Sequence, residues 1–192
     1  MSSMCWSCQS PADLFCNSCK ALQPVSPLSA FERLDMAVTF DMDLAQVEQN
    51  YFKAQRLVHP DRFVGANKTE KVFSAQHSAA INEAYAILKE PIKRVQELLK
   101  ITGHTQPNIE QQTLDDPELL MEVIELREEL LEAQSLEQIN GLRDRLETSF
   151  NQNLASMSEA FKTNDYQEAA KLLNRLRYLN KIRGEAQHKR AA

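Results

Sequence analysis

"RLVHPDRFVGANKTEKVF", residues 56–73, sets a histidine, a proline and an aspartate between two stretches with helical apolar spacing. Pro60 disfavours α geometry at His59 and donates no amide hydrogen, so one helix must end here and another start a few residues later. A turn forced at His59-Pro60-Asp61 presents an imidazole and a carboxylate to solvent, as a contact site would. In the competing reading Asp61 merely caps a turn and His59 is an ordinary loop residue, and the flanks decide between the two.

Upstream, Asp43 with Gln46 three residues on fits a capping-box-like helix start, and Leu44, Val47, Tyr51, Ala54 and Val58 follow at steps of three and four as one buried stripe. Lys53 and Arg56 lie off that stripe, and Arg62, Lys68 and Lys71 follow beyond the turn. The side near His59 is therefore basic in a chain with a net charge of -5. Downstream, Phe73, His77, Ile81, Ala84, Tyr85 and Leu88 form a second stripe over residues 69–89, which predicts two antiparallel helices. His77 sits on this stripe and reads as a packed histidine rather than a ligand. Pro91 suits the first turn of a further helix carrying Ile92, Val95, Leu98 and Leu99, with Gly103 as its stop. Before the hairpin, "PVSPLSAFERLDMAVTFDMD" (24–43) reads as a linker followed by a short helix around Phe31 and Leu34.

Beyond this region the chain stays helical. Glycine occurs only 4 times in 192 residues, and β-branched residues do not gather into alternating runs, so the expected fold class is all-α. No apolar run approaches the ~20 residues of a membrane span. With 22 Lys plus Arg against 27 Asp plus Glu, the charge opposes nonspecific binding to nucleic acid.

All four cysteines fall in "CWSCQSPADLFCNSCKAL" as Cys5-x-x-Cys8 and Cys16-x-x-Cys19. Two such pairs aim four thiolates at one ion, which satisfies the tetrahedral preference of zinc and leaves no open position for substrate. A closed structural Zn(2+) site is expected, and metal binding would supply the folding energy of a segment too short to build a core. Two disulfides, an iron-sulfur cluster or a redox dithiol are the rival readings.

"HTQPNIEQQTLDDP" separates this half from the next, where Asp116-Pro117 looks like an N-cap with proline at the first helical position. Leu119, Val123, Leu126 and Leu130 form one stripe. Ser135 with Gln138 starts a second helix through Ile139, Leu142, Leu146, Phe150, Met157 and Phe161, and Asp165 with Glu168 starts a third with Ala169, Leu172, Leu176 and Leu179. An antiparallel three-helix bundle is the simplest packing. Leu120, Met121, Ile124 and Leu131 are left off the first stripe among Glu125, Glu128 and Glu132, and Tyr178 points away from the third. A wide buried face would absorb them; a binding surface would leave them exposed.

The short helix, the basic-faced helix ending in His59-Pro60-Asp61 and the helix containing "INEAYAIL" (81–88) together resemble a J-domain. The resemblance implies docking on a DnaK-type chaperone ATPase, with His59, Pro60 and Asp61 triggering ATP hydrolysis and Lys53, Arg56 and Arg62 holding the partner's acidic face. Cysteine pairs, J-domain, "ELLMEVIELREELLEA" (118–133) and "LLNRLRYLNKIR" (172–183), in that order, resemble the HscB family, the J-type co-chaperones of iron-sulfur cluster assembly. That resemblance implies a C-terminal bundle that binds the scaffold protein IscU and delivers it to an HscA-like chaperone. Its scaffold-facing residues would be Leu120, Met121, Ile124, Glu125, Glu128, Glu132 and Tyr178. The cysteine pairs occur in only some members, so the shared activity does not depend on them.

The expected organisation is a zinc-binding knuckle at 1–24, a J-domain at 27–102, a linker at 103–116 and a scaffold-binding bundle at 117–190. A mitochondrial precursor would carry an Arg- and Ser-rich presequence, whereas Cys5 almost opens this chain, so a bacterial-type cytoplasm is expected, with the mitochondrial matrix as the alternative. A metal or cluster carrier whose cysteines take part in transfer is the competing function. An enzyme using His59 and Asp61 as acid and base is disfavoured, because no second polar cluster, glycine-rich loop or open metal position accompanies them.

Overall fold

A computed structural model describes residues 3–104 and 116–190. The linker expected at 103–116 therefore lies, over 105–115, outside the described residues. The described chain is all-α apart from one small ribbon. Strands β1 (Ser3–Met4) and β2 (Pro11–Ala12) pair antiparallel, Ser3 opposite Ala12. Helices α1 (Ala30–Arg33), α2 (Leu44–Val58), α3 (Lys68–Lys89), α4 (Pro91–Ile101), α5 (Pro117–Glu132), α6 (Leu136–Lys162) and α7 (Tyr166–His188) follow, with a 3-10 turn at Pro60–Phe63 between α2 and α3. The chain divides into two compact units, Met1–Val38 with Met42–Arg94, and Thr39–Asp41 with Val95–Ala192.

Short-range chemistry sets most helix ends. Ser29 and Glu32 close a full capping box on α1, as do Ser135 and Gln138 on α6. Asp116 and Asp165 accept from the amides of Leu119 and Glu168. Pro91 and Pro117 occupy first helical positions, where a missing amide costs nothing. Gly103, with φ of 77°, turns the chain so that His104 N donates to Leu99 O at 2.8 Å, ending α4. At α2 the outcome differs from expectation. Asp43 caps Ala45 N, but Gln46 reaches forward to Gln49 and Asn50 rather than back to the cap, so no box closes.

In the first unit α2 and α3 form an antiparallel hairpin around Val47, Val58, Ile81, Ala84 and Leu88, with Phe31 and Leu34 of the α1 region fully buried beside them. The seam holds more polarity than the sequence suggests. Leu44 is exposed, and Gln55 is buried instead. Its amide is satisfied by α3: Nε2 donates to Asn82 Oδ1 (2.6 Å) and Ser78 O (3.1 Å), and Oε1 accepts from Ser78 Oγ (3.0 Å). His77 is buried as expected of a packed residue, its pKa lowered by burial first and by the Arg33 charge.

The second unit is the three-helix bundle. Leu119, Val123 and Leu130 of α5, Ile139, Leu142, Leu146, Phe150 and Met157 of α6, and Ala169, Leu173, Leu176, Leu179 and Ile182 of α7 form its core. Leu126, Phe161 and Leu172, expected inside, are half-buried. Polar ties fix the helix ends and register. Arg175 grips Glu122 in a bidentate pair at 2.8 and 2.7 Å, a bond that raises the arginine's pKa. Arg143 donates to the Ala186 carbonyl, and Lys189 reaches back to the Leu130 and Leu131 carbonyls at the end of α5. Phe40 stacks on Phe161 at 5.8 Å, and Asp41 pairs with Lys162 at 3.5 Å.

Asn153 sits in the bundle core at 1% exposure, and neither its Oδ1 nor its Nδ2 has a hydrogen-bond partner among the described residues. A buried amide without partners costs about 1 to 3 kcal/mol. Asn153→Leu should therefore raise the melting temperature, by roughly 2 to 4 °C per kcal/mol recovered in a chain of this size. An unchanged or lower Tm in a calorimetric scan would show that the amide is satisfied in solution.

Candidate functional site

The cysteines lie in two matching turns. In each, the carbonyl of the first cysteine accepts from the residue after the second: Gln9 N to Cys5 O at 3.0 Å and Lys20 N to Cys16 O at 3.1 Å. Gln9 and Lys20 adopt φ of 61° and 62°, the left-handed geometry needed to turn the chain back behind each sulfur pair. The amides of Ser7 and Ser18 point at Cys5 Sγ (3.3 Å) and Cys16 Sγ (3.4 Å).

The four Sγ atoms lie within 4.8 Å of one another, with Cys5 to Cys19 at 3.7 Å and Cys8 to Cys16 at 3.4 Å. A tetrahedron of ~2.3 Å metal–sulfur bonds has edges of ~3.8 Å, so the arrangement fits a four-coordinate ion. It does not fit disulfides, whose sulfurs lie ~2.05 Å apart. Cys5 and Cys16 are buried and Cys8 and Cys19 exposed. The Ser10 amide, then the Ser10 hydroxyl and the neighbouring thiols, lower the Cys8 pKa to about 6. For Cys19 the Ala21 amide pulls downward, but Cys8, burial, Cys16 and Cys5 together push the thiol up to about 11. Burial raises the Cys5 thiol, but the amides of Cys8 and Ser7 and the Gln23 side chain outweigh it and hold that thiol below its ordinary value.

The His59-Pro60-Asp61 turn is polar and carries no cysteine. His59 ends α2 and caps the 3-10 turn, its Nδ1 accepting from Asp61 N at 3.3 Å. The Asp61 side chain is 87% exposed and lies 3.5 Å from His59 Nδ1. The turn is nevertheless held. Ser74 Oγ of α3 donates to Val58 O at 2.6 Å, and Arg62 donates to the Arg56 carbonyl. Lys53 and Arg56, three residues apart on α2, are exposed together with Arg62, Lys68 and Lys71.

A third surface lies on α5. Leu120 is 37% exposed, Ile124 43% and Met121 60%, and Leu131 continues the same line still more exposed. Glu125, Glu128 and Glu132 run beside them and are exposed as well. Tyr178 is half-buried on α7, one turn from the Arg175 that grips Glu122 of α5. Sequence reasoning missed Gln23 and Ser74, which support the cysteines and the turn respectively. No spacing pattern marks a single glutamine after the last cysteine or a serine inside an apolar stripe. No helix among the described residues is long and apolar enough to cross a membrane.

Residues 115–187 match the family described as the HSCB C-terminal oligomerisation domain. The chain is 35% identical to the iron-sulfur cluster co-chaperone protein HscB of Homo sapiens over 188 residues, covering 93% of this chain and 78% of that one. It is 30% identical to the co-chaperone protein HscB homolog of Mannheimia succiniciproducens, covering 81% and 91%. Among solved structures, human co-chaperone HscB superposes with a TM-score of 0.91 at 33% identity over 95% of this chain and 96% of that one. HscB from Vibrio cholerae gives 0.75 at 26% identity over 83% and 96%.

The unequal thiols make a direct prediction for the metal-free chain. The Cys8 thiol is lowered and the Cys19 thiol raised, so at neutral pH Cys8 is the more ionised and the more nucleophilic of the two. Brief treatment with iodoacetamide should label Cys8 first and Cys19 far more slowly, although both are exposed. The Cys8 rate should fall as pH drops through about 6. Equal labelling of the two by peptide mass mapping would contradict the assignment.

Proposed function

The chain belongs to the HscB family of iron-sulfur cluster co-chaperones, and we propose that it binds the scaffold protein IscU on α5 and α7 and delivers it to a DnaK-type, HscA-like chaperone, whose ATPase it stimulates through His59-Pro60-Asp61. The observation that carries this reading is the exposure of two chemically different surfaces on the two units: a polar, basic-flanked turn on one and an apolar strip edged by glutamates on the other.

The turn suits a trigger. Asp61 offers a largely solvated carboxylate for a charge-assisted bond to a partner arginine. Pro60 and the Ser74 bond to Val58 hold it in place beforehand, which lowers the entropy lost on docking. Lys53, Arg56 and Arg62 supply positive charge that steers an acidic partner face. Stimulation requires the J-like surface to bind the hydrolysis-competent chaperone better than the resting one. Leu120, Met121 and Ile124 of α5, with Tyr178 of α7, provide the apolar anchor for the scaffold, and Glu125, Glu128 and Glu132 of α5 the polar rim.

The cysteine centre in this reading holds one Zn(2+) in a closed, structural site. Four thiolates suit zinc's preference for sulfur and tetrahedral geometry, and the ion supplies the cross-link that the small segment lacks.

His59→Gln and Asp61→Asn should leave helicity and melting near wild type while removing stimulation of the chaperone's steady-state ATPase; wild-type stimulation by either variant would overturn the trigger assignment. Combined Leu120→Ala, Ile124→Ala and Tyr178→Ala should leave stimulation by this protein alone intact and forfeit ~2 to 5 kcal/mol of scaffold binding, enough to abolish a micromolar complex. Calorimetric titration paired with a thermal melt checks this, and unchanged affinity, or a loss explained by unfolding, rejects the surface. Metal analysis should return one zinc per chain. A stoichiometric iron-sulfur absorption spectrum would replace zinc with a cluster.

A further inference from the structure

Gln23 is 2% exposed, and each of its polar groups is engaged. Its Nε2 donates to Cys5 Sγ at 3.3 Å and to Ala21 O at 2.7 Å, and its Oε1 accepts from Trp6 N at 3.3 Å. Its backbone N donates to Leu14 O at 3.0 Å. Its backbone carbonyl lies 3.0 Å from His77 Nε2, and because a carbonyl only accepts, that nitrogen carries the proton. One residue thus touches a sulfur of the cysteine centre and a buried side chain of α3.

Two further ties run from the cysteine segment to the same stretch of α3. Leu22 N donates to Glu70 Oε1 at 3.2 Å, and the Trp6 ring packs edge-on against Phe73 with centroids 5.9 Å apart. Residues 70, 73 and 77 of α3 therefore carry the cysteine segment. Residue 74, among them, is the serine whose hydroxyl donates to Val58 O, immediately before His59. That carbonyl belongs to the last turn of α2, whose final carbonyls have no helical donor once the chain leaves the helix at His59. The first half of α3 is held between the cysteine segment and the turn.

We propose that Gln23 is a positioning residue that couples the four-cysteine centre to the His59-Pro60-Asp61 turn, so that metal occupancy sets how firmly that turn is held. This inference rests on the metal and trigger readings above. The segment's own buried cluster is small, consisting of Cys5, Ala12 and Cys16 with Ala21 packed against them. A bound ion fixes the Cys5 sulfur where Gln23 Nε2 donates to it, at 3.3 Å. When the ion leaves, the Gln23 carbonyl is no longer fixed and the buried His77 N–H loses its acceptor. The first half of α3 then opens more readily. The Ser74 hydroxyl moves with its helix, and the turn loses the bond that holds Val58.

The test is NMR on the full chain, zinc-loaded and chelator-stripped, for wild type, Gln23→Ala and Gln23→Glu, with zinc content measured on every sample. Gln23→Glu keeps the shape and removes the donor to sulfur. In wild type, stripping should speed amide exchange over residues 74–81 about tenfold and lower the order parameters of Asp61–Phe63 from about 0.85 towards 0.6, leaving exchange at Tyr85–Leu88 unchanged. Either variant, at full zinc content, should show the same changes without stripping. A chain that takes up no metal overturns the metal reading and this coupling together. A chain that holds zinc but shows no change at the turn on stripping, or equal loosening along all of α3, overturns the coupling alone. So does a fully loaded Gln23→Ala that behaves as wild type.

Discussion

Pro60 forces α2 to end, and much of the first unit is arranged around that break. A helix interior that took in the proline would lose about 3 kcal/mol. The chain instead leaves the helix at His59 and makes a 3-10 turn over Pro60–Phe63. Val58 is left with a carbonyl in need of a partner, and Ser74 supplies it from the helix that follows. The break that exposes Asp61 thereby also recruits α3. Once α3 runs back antiparallel, Gln55 meets Ser78 and Asn82, and a buried glutamine becomes affordable because both ends of its amide are paired.

Features decided within four residues could be read from the sequence. The Ser135 and Gln138 pair, Asp165, Pro91, Pro117 and Gly103 all mark helix ends where they stand, because a cap needs only its own turn. The double CxxC spacing likewise foretold a convergence of four sulfurs. Harder to see was anything settled by a partner far along the chain. Gln46 spends its amide on Gln49 and Asn50, so a plausible capping box fails through local competition. Gln55 is buried by residues 23 and 27 positions away, and Gln23 is placed by a histidine 54 positions away. The extra apolar residues on α5 were ambiguous for the same reason. Periodicity shows that they leave the core stripe, and only the folded chain shows Leu120, Met121 and Ile124 exposed.

The two exposed surfaces solve opposite physical problems. The turn is polar and would be mobile without support, so it is tied down by Ser74 and the proline ring. The α5 strip is apolar and needs no ordering, because a helix already spaces its side chains. Its difficulty is exposure to water and to other chains. Glu125, Glu128 and Glu132 along its edge keep the strip charged and narrow, which favours a complementary partner over self-association.

Lys189 reaches the Leu130 carbonyl across 59 residues of sequence. During synthesis at about 5 to 20 residues per second, α5 leaves the ribosome roughly 3 to 12 s before that lysine is available. Through this interval α5 has neither the partners for its last carbonyls nor α7 to cover its inner stripe. A nascent chain thus displays both apolar faces of α5, whereas the finished bundle displays one. Quality control can tell an incomplete molecule from a complete one by that difference, and α5 is among the last parts of the protein to lose its surplus apolar face.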